Sequence, residues 1–194
     1  MTDAADLDRL ARRVRAAAPT VGAVRLVVVD GPAGSGKTTV AAGLAQRLGD
    51  VPVVHADELY EGWSVVAGVE DPVAAFSTLA ERVVAQLLVP WAEDRAGEHR
   101  VWDWVHGRWS PGLRTVPPAP VVVLEGVGLG AAVLRARAVA AVWVEHPDAA
   151  ERLRRVLARD GAALEERMRR WQRAEAAWFA HDGTRAGSTD LVAT

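Results

Sequence analysis

The sequence contains no cysteine. Disulfides, thiolate nucleophiles and zinc–thiolate centres are therefore excluded. Lysine is nearly absent too: of 23 basic residues, all but Lys37 are arginine. Neither sign of charge dominates. The formal net charge is −2, too small for a general attraction to nucleic acid or to an anionic membrane. No uninterrupted apolar run approaches the roughly 20 residues of a membrane span. Thr2 to Arg15 alternates acidic and basic side chains and lacks the apolar core of a signal segment. The expected setting is cytoplasmic, with neither nucleic acid nor membrane as partner. No internal repeat or low-complexity linker divides the 194 residues, and that length suits one domain with a sizeable core. Residues 1–194 are expected to form it, beginning with a helix inside 1–20. A homo-oligomer is left open.

Half the residues are apolar and a quarter are charged, as in ordinary globular chains. Leu7, Leu10 and Val14 repeat at helical spacing. Residues 23–30 form an apolar segment, with Val24 and Leu26 to Val29, that reads as a strand buried on both faces. A helix is expected over 38–48, a short strand over 51–55 that should lie beside the first strand, and a helix from Asp71-Pro72 to about Leu88, capped by Asp71. Residues 90–118, rich in Trp and Pro, read as irregular. Strands follow at 121–124 and 139–144, with a helical stretch at 131–137 between them. Two Arg/Glu-rich helices are expected at 147–159 and 162–180, and a last strand at 190–193. Alternating strands and helices predict a three-layer α/β fold with a mainly parallel five-stranded sheet.

The single lysine lies in Gly31-Pro32-Ala33-Gly34-Ser35-Gly36-Lys37-Thr38, a G-x-x-x-x-G-K-[ST] loop between an apolar strand and a helix. Such a loop turns successive backbone N–H groups toward phosphate oxygens, and the helix N-terminus adds partial positive charge. Gly31, Ala33, Gly34, Ser35, Gly36, Lys37, Thr38 and Thr39 are the candidate nucleotide-binding residues. Lys37 would reach the β- and γ-phosphates of ATP, and the Thr38 hydroxyl would ligate Mg²⁺. A compact ammonium suits that task where a planar guanidinium does not. With one lysine there is no Asn-Lys-x-Asp guanine-reading motif. The third strand ends in one carboxylate, Glu125, rather than the Asp-Glu of many ATPase modules. Glu125 would stand at the carboxyl edge of the sheet, where ligands bind in such folds. A metal or its water shell is the natural partner of a carboxylate buried there.

Further segments resemble, in order, the uridine kinase group of P-loop kinases. These are Asp30-Gly31 with Gly34 to Thr39, Asp57-Glu58-Leu59-Tyr60, Glu70-Asp71-Pro72, Val101-Trp102-Asp103-Trp104-Val105, Leu124-Glu125-Gly126, and the arginine-rich run from Arg152 to Asp160. The resemblance covers roughly residues 24–160 and implies an ATP- and Mg²⁺-dependent kinase acting on a hydroxyl of a nucleoside or nucleoside-like small molecule. Asp57 would accept the hydroxyl proton and touch Mg²⁺. Arg155 and Arg159 would serve as lid arginines within a helical lid spanning about 152–173, with Arg167 or Arg169 as substitutes. Tyr60, Glu70, Trp102, Asp103, Trp104 and His106 would border the acceptor. Glu70 could equally be a helix-start residue, and the tryptophans core or rim aromatics. The sequence departs from the group in three places: the placing of His106, the bulk of Trp102, and the absence of an Arg-Gly-Arg after Asp160. Glu151, Glu165, Glu166 and Glu175 are expected to pair with arginines on solvated helix faces. His55, His99, His146 and His181 show no metal-ligand spacing. Two alternatives stay open. One is a kinase for another metabolite or a nucleoside monophosphate, since the loop also resembles cytidylate kinase; the other is an ATP-binding regulator that is not a kinase.

Overall fold

The computed structural model describes residues 4–65 and 71–194. Helix α1 (Ala4–Ala16) precedes strand β1 (Arg25–Asp30), α2 (Lys37–Leu48), β2 (Val53–His55) and the single turn α3 (Ala56–Leu59). A 3-10 turn at Gly62–Val65 follows. Helix α4 (Pro72–Val83) runs through a π-helical turn (Val84–Leu88) into α5 (Val89–Ala92). Strands β3 (Gly97–His99), β4 (Trp102–Asp103), β5 (Arg108–Trp109) and β6 (Arg114–Val116) form two nested antiparallel ladders. The chain then makes β7 (Val121–Glu125), α6 (Ala132–Arg135), β8 (Ala140–Glu145), α7 (Ala149–Asp160), α8 (Glu165–Asp182) and β9 (Asp190–Ala193).

Five strands build one sheet in the order β2-β7-β1-β8-β9, and every pairing in it is parallel. Successive side chains of a strand point to opposite faces, so the apolar runs feed two cores. Leu26, Val28, Val54, Val122 and Leu124 pack with Phe76, Leu79, Val83, Met168, Trp171 and Trp178 of α4 and α8. Val27, Val29, Val121, Val123, Val142 and Val144 pack with Leu7, Leu10, Val14, Val40 and Leu44 of α1 and α2. The result is a three-layer α/β sandwich with helices on both faces of the sheet.

Two expectations need correction, and the apolarity of one helix has a structural reason. Strand β2 was expected beside β1, but β7 lies between them. All five residues of β7 are buried, whereas β2 is three residues long and half-buried, so the more apolar strand takes the interior place. The stretch 90–118 is also more ordered than its composition implies. The helix continues to Ala92 because the wide π-helical turn precedes Pro90, whose ring has no N–H to give. Buried Trp91 then donates its indole N–H to the Val116 carbonyl at 2.9 Å and anchors the outer ladder. Finally, the continuous helical stretch Pro72–Ala92 is long and apolar enough, by length and composition, to cross a membrane. Its Phe76, Leu79, Ala80, Val83, Leu87, Leu88 and Trp91 are buried in the core beside the sheet, which accounts for that apolarity.

The turn after β7 is tight. Gly126 has φ +137°, and a Cβ there would lie 2.3 Å from the Ala56 Cβ. Gly126→Ala should lower the melting midpoint by about 4–8 °C, through strain and overlap worth about 2 kcal/mol. A thermal melt with an unchanged midpoint would contradict this packing of α3 on the β7 turn.

Candidate active site

The loop from Gly31 to Gly36 joins the end of β1 to the start of α2, at the carboxyl edge of the sheet. Gly36 is the N-cap of α2, with φ 89°. Gly34, at φ +78°, lies so near α7 that a Cβ would stand 2.3 Å from the Arg152 carbonyl. Only glycine tolerates both conditions. Asp30, 1 % exposed, fixes the start of the loop. Its Oδ1 accepts the Gly31 N–H at 2.6 Å, and its Oδ2 accepts the Gly128 and Gly130 N–H groups at 2.9 and 2.8 Å. Burial pushes the Asp30 carboxyl up to about 7, against the opposing pull of Lys37 and these three amides. The Lys37 ammonium donates to the Pro32 carbonyl at 3.0 Å, and the Thr194 hydroxyl donates to the Ser35 carbonyl at 2.8 Å. The buried Ser35 hydroxyl has no hydrogen-bond partner among the described residues.

Oxygen donors gather beside Lys37. The Thr38 hydroxyl donates to Glu125 Oε1 at 3.3 Å, and His55 Nδ1 lies 2.8 Å from Glu125 Oε2. The register that sets His55 opposite Glu125 across β2 and β7 makes the second contact. It also raises the His55 pKa, with the hydrogen bond to Glu125 as the main cause. Asp57 is the second residue of α3, two after His55, and is accessible to solvent. Crowding by the surrounding protein raises its pKa, and the charge of Glu125 raises it further. Lys37, Arg159 and His55 oppose that rise. Two like-charged carboxylates and a hydroxyl suit a hard cation that takes oxygen ligands. Among the described residues no group of three or more His, Asp or Glu side chains gathers as a metal cage. Mg²⁺ needs no such cage, since it is commonly held by one or two carboxylates together with phosphate oxygens.

The arginines of α7 divide. Arg159 is paired with Asp160 and also feels the charges of Asp57 and Glu125. Arg155 is paired with Glu151 at 3.0 Å. On α8, Arg169 pairs with Glu165, while Arg167 lies 6.0 Å over the Trp63 ring.

Tryptophans wall the side next to Asp57. Trp104, 42 % exposed, donates its indole N–H to the Asp57 carbonyl at 2.8 Å and meets Trp63 edge-on at 5.7 Å. Trp102 meets Trp109 edge-on at 5.2 Å, and Arg100 stacks over Trp109 at 4.7 Å. Asp103 caps its own turn by accepting the Val105 and His106 N–H groups, each at 3.0 Å, and it holds His106 Nδ1 at 2.7 Å. Hydrogen bonds from the His106 backbone and ring hold the Asp103 pKa down. Tyr60 is buried, with its hydroxyl on the Val127 carbonyl and its ring against Phe76 and Trp171. The structure therefore gives Tyr60 a packing task rather than a place on the open wall. Glu70 lies outside the described residues.

One residue was misread from the sequence. Glu175 does not sit on a solvated face; it is 2 % exposed. It accepts the Ala33 N–H at 3.0 and 3.2 Å and the Trp171 indole N–H at 3.0 Å. Burial pushes its carboxyl up to about 7, opposed by Lys37, the Ala33 amide and Arg152. The signal was present: Glu175 falls on the Met168–Trp171–Trp178 stripe of α8, the buried face. Asp30 and His55 were likewise missed as site residues. Each stands at the end of a strand next to a named motif residue.

A family model described as an AAA domain matches residues 27–176, from β1 into α8. The chain belongs to that family. The matched span of this AAA-domain protein contains the loop, Asp57, Glu125 and Glu175. No curated protein matches the sequence at a significant level. Among solved structures, the chain is similar to one named as a possible uridine kinase from Bacillus stearothermophilus. The identity is 19%, covering 95% of this chain and 96% of that one, with a TM-score of 0.63. It is also similar to one named as a “putative fructose transport system kinase” from a Silicibacter species, at 19% identity, covering 95% and 98% with a TM-score of 0.66. A D-glycerate 3-kinase from Cryptococcus neoformans aligns at 14% identity over 88% and 87%, with a TM-score of 0.55. The fold is thus a three-layer P-loop α/β fold, shared with these structures.

The two buried carboxyls make stability depend on pH. Their folded pKa of about 7 lies above the ordinary values of 3.8 and 4.5. The folded state therefore holds more protons between those limits, and stability falls as pH rises from about 4 to about 7. The melting midpoint should be higher at pH 5 than at pH 8, and Glu175→Gln should flatten part of that slope. Identical slopes in variant and wild type would mean that Glu175 is ionised throughout the range.

Proposed function

We propose that the protein is an ATP-dependent phosphotransferase that moves the γ-phosphoryl group of ATP to a hydroxyl of a nucleoside or nucleoside-like small molecule in the cytoplasm. One observation carries this reading. The phosphate loop with Lys37 opens at the same carboxyl edge of the sheet as Glu125 and Asp57, and exposed Trp104 stands against Asp57. A loop suited to phosphate, a carboxylate suited to accept a proton and a flat aromatic face thus adjoin, which favours phosphoryl transfer to a ring-bearing acceptor. The fold shared with several kinases supports it.

In this reading Gly31, Ala33 to Gly36, Thr38 and Thr39 bind and orient the triphosphate through backbone and hydroxyl groups. Lys37 leaves the Pro32 carbonyl for the β- and γ-phosphate oxygens. Thr38, Asp57 and Glu125 would hold Mg²⁺, which when bound neutralises phosphate charge. Asp57 takes the proton of the acceptor hydroxyl as its oxygen bonds to the γ-phosphorus. The bond from that phosphorus to the β–γ bridging oxygen breaks, and ADP leaves. Arg159 answers the negative charge on the transferring group, with Arg155 one turn earlier on the lid helix. Trp104 and Trp102 offer faces on which a base can stack, while Asp103 and His106 supply polar edges.

The direct test is ADP formation from ATP–Mg²⁺ with and without a panel of nucleosides, sugars and nucleoside monophosphates. Formation that depends on a nucleoside is expected. Dependence on another member of the panel would reassign the acceptor, and tight ATP binding without any dependence would favour a regulator. Asp57→Asn should cut turnover about a hundredfold or more while ATP binding, read by calorimetry, stays within about twofold. Turnover retained in that variant would remove Asp57 from the role of base.

A further inference from the structure

A carboxylate is an expensive residue to bury unless its oxygens have a task. Glu175 lies on the buried stripe of α8 with Met168, Trp171 and Trp178, where an apolar side chain would pack without that cost. Its contacts run in two directions. On one side it accepts the backbone N–H of Ala33, inside the phosphate loop, at 3.0 and 3.2 Å. On the other, Oε2 also accepts the indole N–H of Trp171, one helical turn away, at 3.0 Å. The Trp171 ring meets Tyr60 edge-on at 5.1 Å, Phe76 at 5.8 Å and Trp63 at 6.2 Å. Trp63 meets Trp104, and Trp104 donates to the Asp57 carbonyl. An unbroken series of packed rings and hydrogen bonds therefore joins Ala33 to the backbone of Asp57, with Glu175 as its one carboxylate.

We infer that Glu175 is a positioning residue that couples the phosphate loop to the Trp63–Trp104 wall beside Asp57. A phosphate that reorders the Ala33 amide pulls on Glu175, and through the Trp171 indole on the aromatic wall. Packed contacts of this kind shift together rather than deform gradually. Lys37 from α2 and Arg152 from α7 face the same carboxylate, so the charge that a nucleotide brings to Lys37 is felt there as well. The inference rests on the loop being an ATP site; it does not depend on phosphoryl transfer.

Hydrogen exchange on the full chain, with and without saturating ATP–Mg²⁺, tests it. In the wild type, ATP should slow exchange both in residues 31–39 and in residues 102–109. In Glu175→Ala, and in Trp171→Phe, ATP should still slow exchange in the loop, but its effect on residues 102–109 should be lost. Trp171→Phe keeps a ring in the core and removes only the N–H donor, so it decides the matter if Glu175→Ala fails to fold. Glu175→Gln should keep the effect, because an amide oxygen in the place of Oε2 can accept both donors. An ATP effect on residues 102–109 that survives in Trp171→Phe, or that is missing from ATP-saturated wild type, would overturn the coupling. Wild type that binds no ATP would overturn the ATP-site reading and the coupling with it. ATP binding with coupling but no acceptor-dependent ADP would overturn only the kinase reading.

Discussion

A phosphate loop works only if its turn is held in one shape, with glycine-rich backbone facing the ligand. The buried carboxylate of Asp30 fixes where that turn begins. It gathers the first amide of the loop and two amides of the turn after β7 onto one side chain. That stitches the ends of β1 and β7 together, and so brings Thr38 of α2 within reach of Glu125. The placing of His55 opposite Glu125 follows from the register of β2 on the other side of β7.

The loop is also held from above. Helix α7 presents the Arg152 carbonyl to Gly34, and α8 presents Glu175 to Ala33. The two Arg-rich helices are thus in contact with the phosphate loop at both ends of the Ala33–Gly34 peptide. The charge of Arg159 on the same α7, itself paired with Asp160, is felt at Asp57 and Glu125, while Arg154, Arg169 and Arg170 are matched to neighbouring acids. Charge at the site therefore comes from few residues in an arginine-rich chain.

The sheet, the phosphate loop, Asp57 and Glu125 were legible because each depends on a local pattern: an apolar run, glycines around a single lysine, a carboxylate at the end of a strand. Strand order was not. The place of β7 between β2 and β1 is decided by which strand has more apolar surface to hide, a comparison between distant segments. The nested ladders between Ala92 and Val121 were hidden because two- and three-residue strands have no period to read. Glu175 was misassigned because arginines crowd its helix, and charge pairing outweighed the Met168–Trp171–Trp178 stripe that marks its face as buried. Tyr60 shows the converse: it follows a motif carboxylate by three residues, but its hydroxyl turns inward to Val127.

The central claim is that one cleft sets a γ-phosphate against Asp57 and a flat acceptor against Trp104. A crystal structure with a non-hydrolysable ATP analogue, Mg²⁺ and a nucleoside tests it most directly. The account predicts the triphosphate on the amides of residues 33–39, its γ-phosphate between Lys37 and Arg159, the acceptor hydroxyl on the Asp57 carboxylate, and the base against Trp104. A γ-phosphate pointing away from Asp57, or a nucleoside bound elsewhere on the surface, would contradict it.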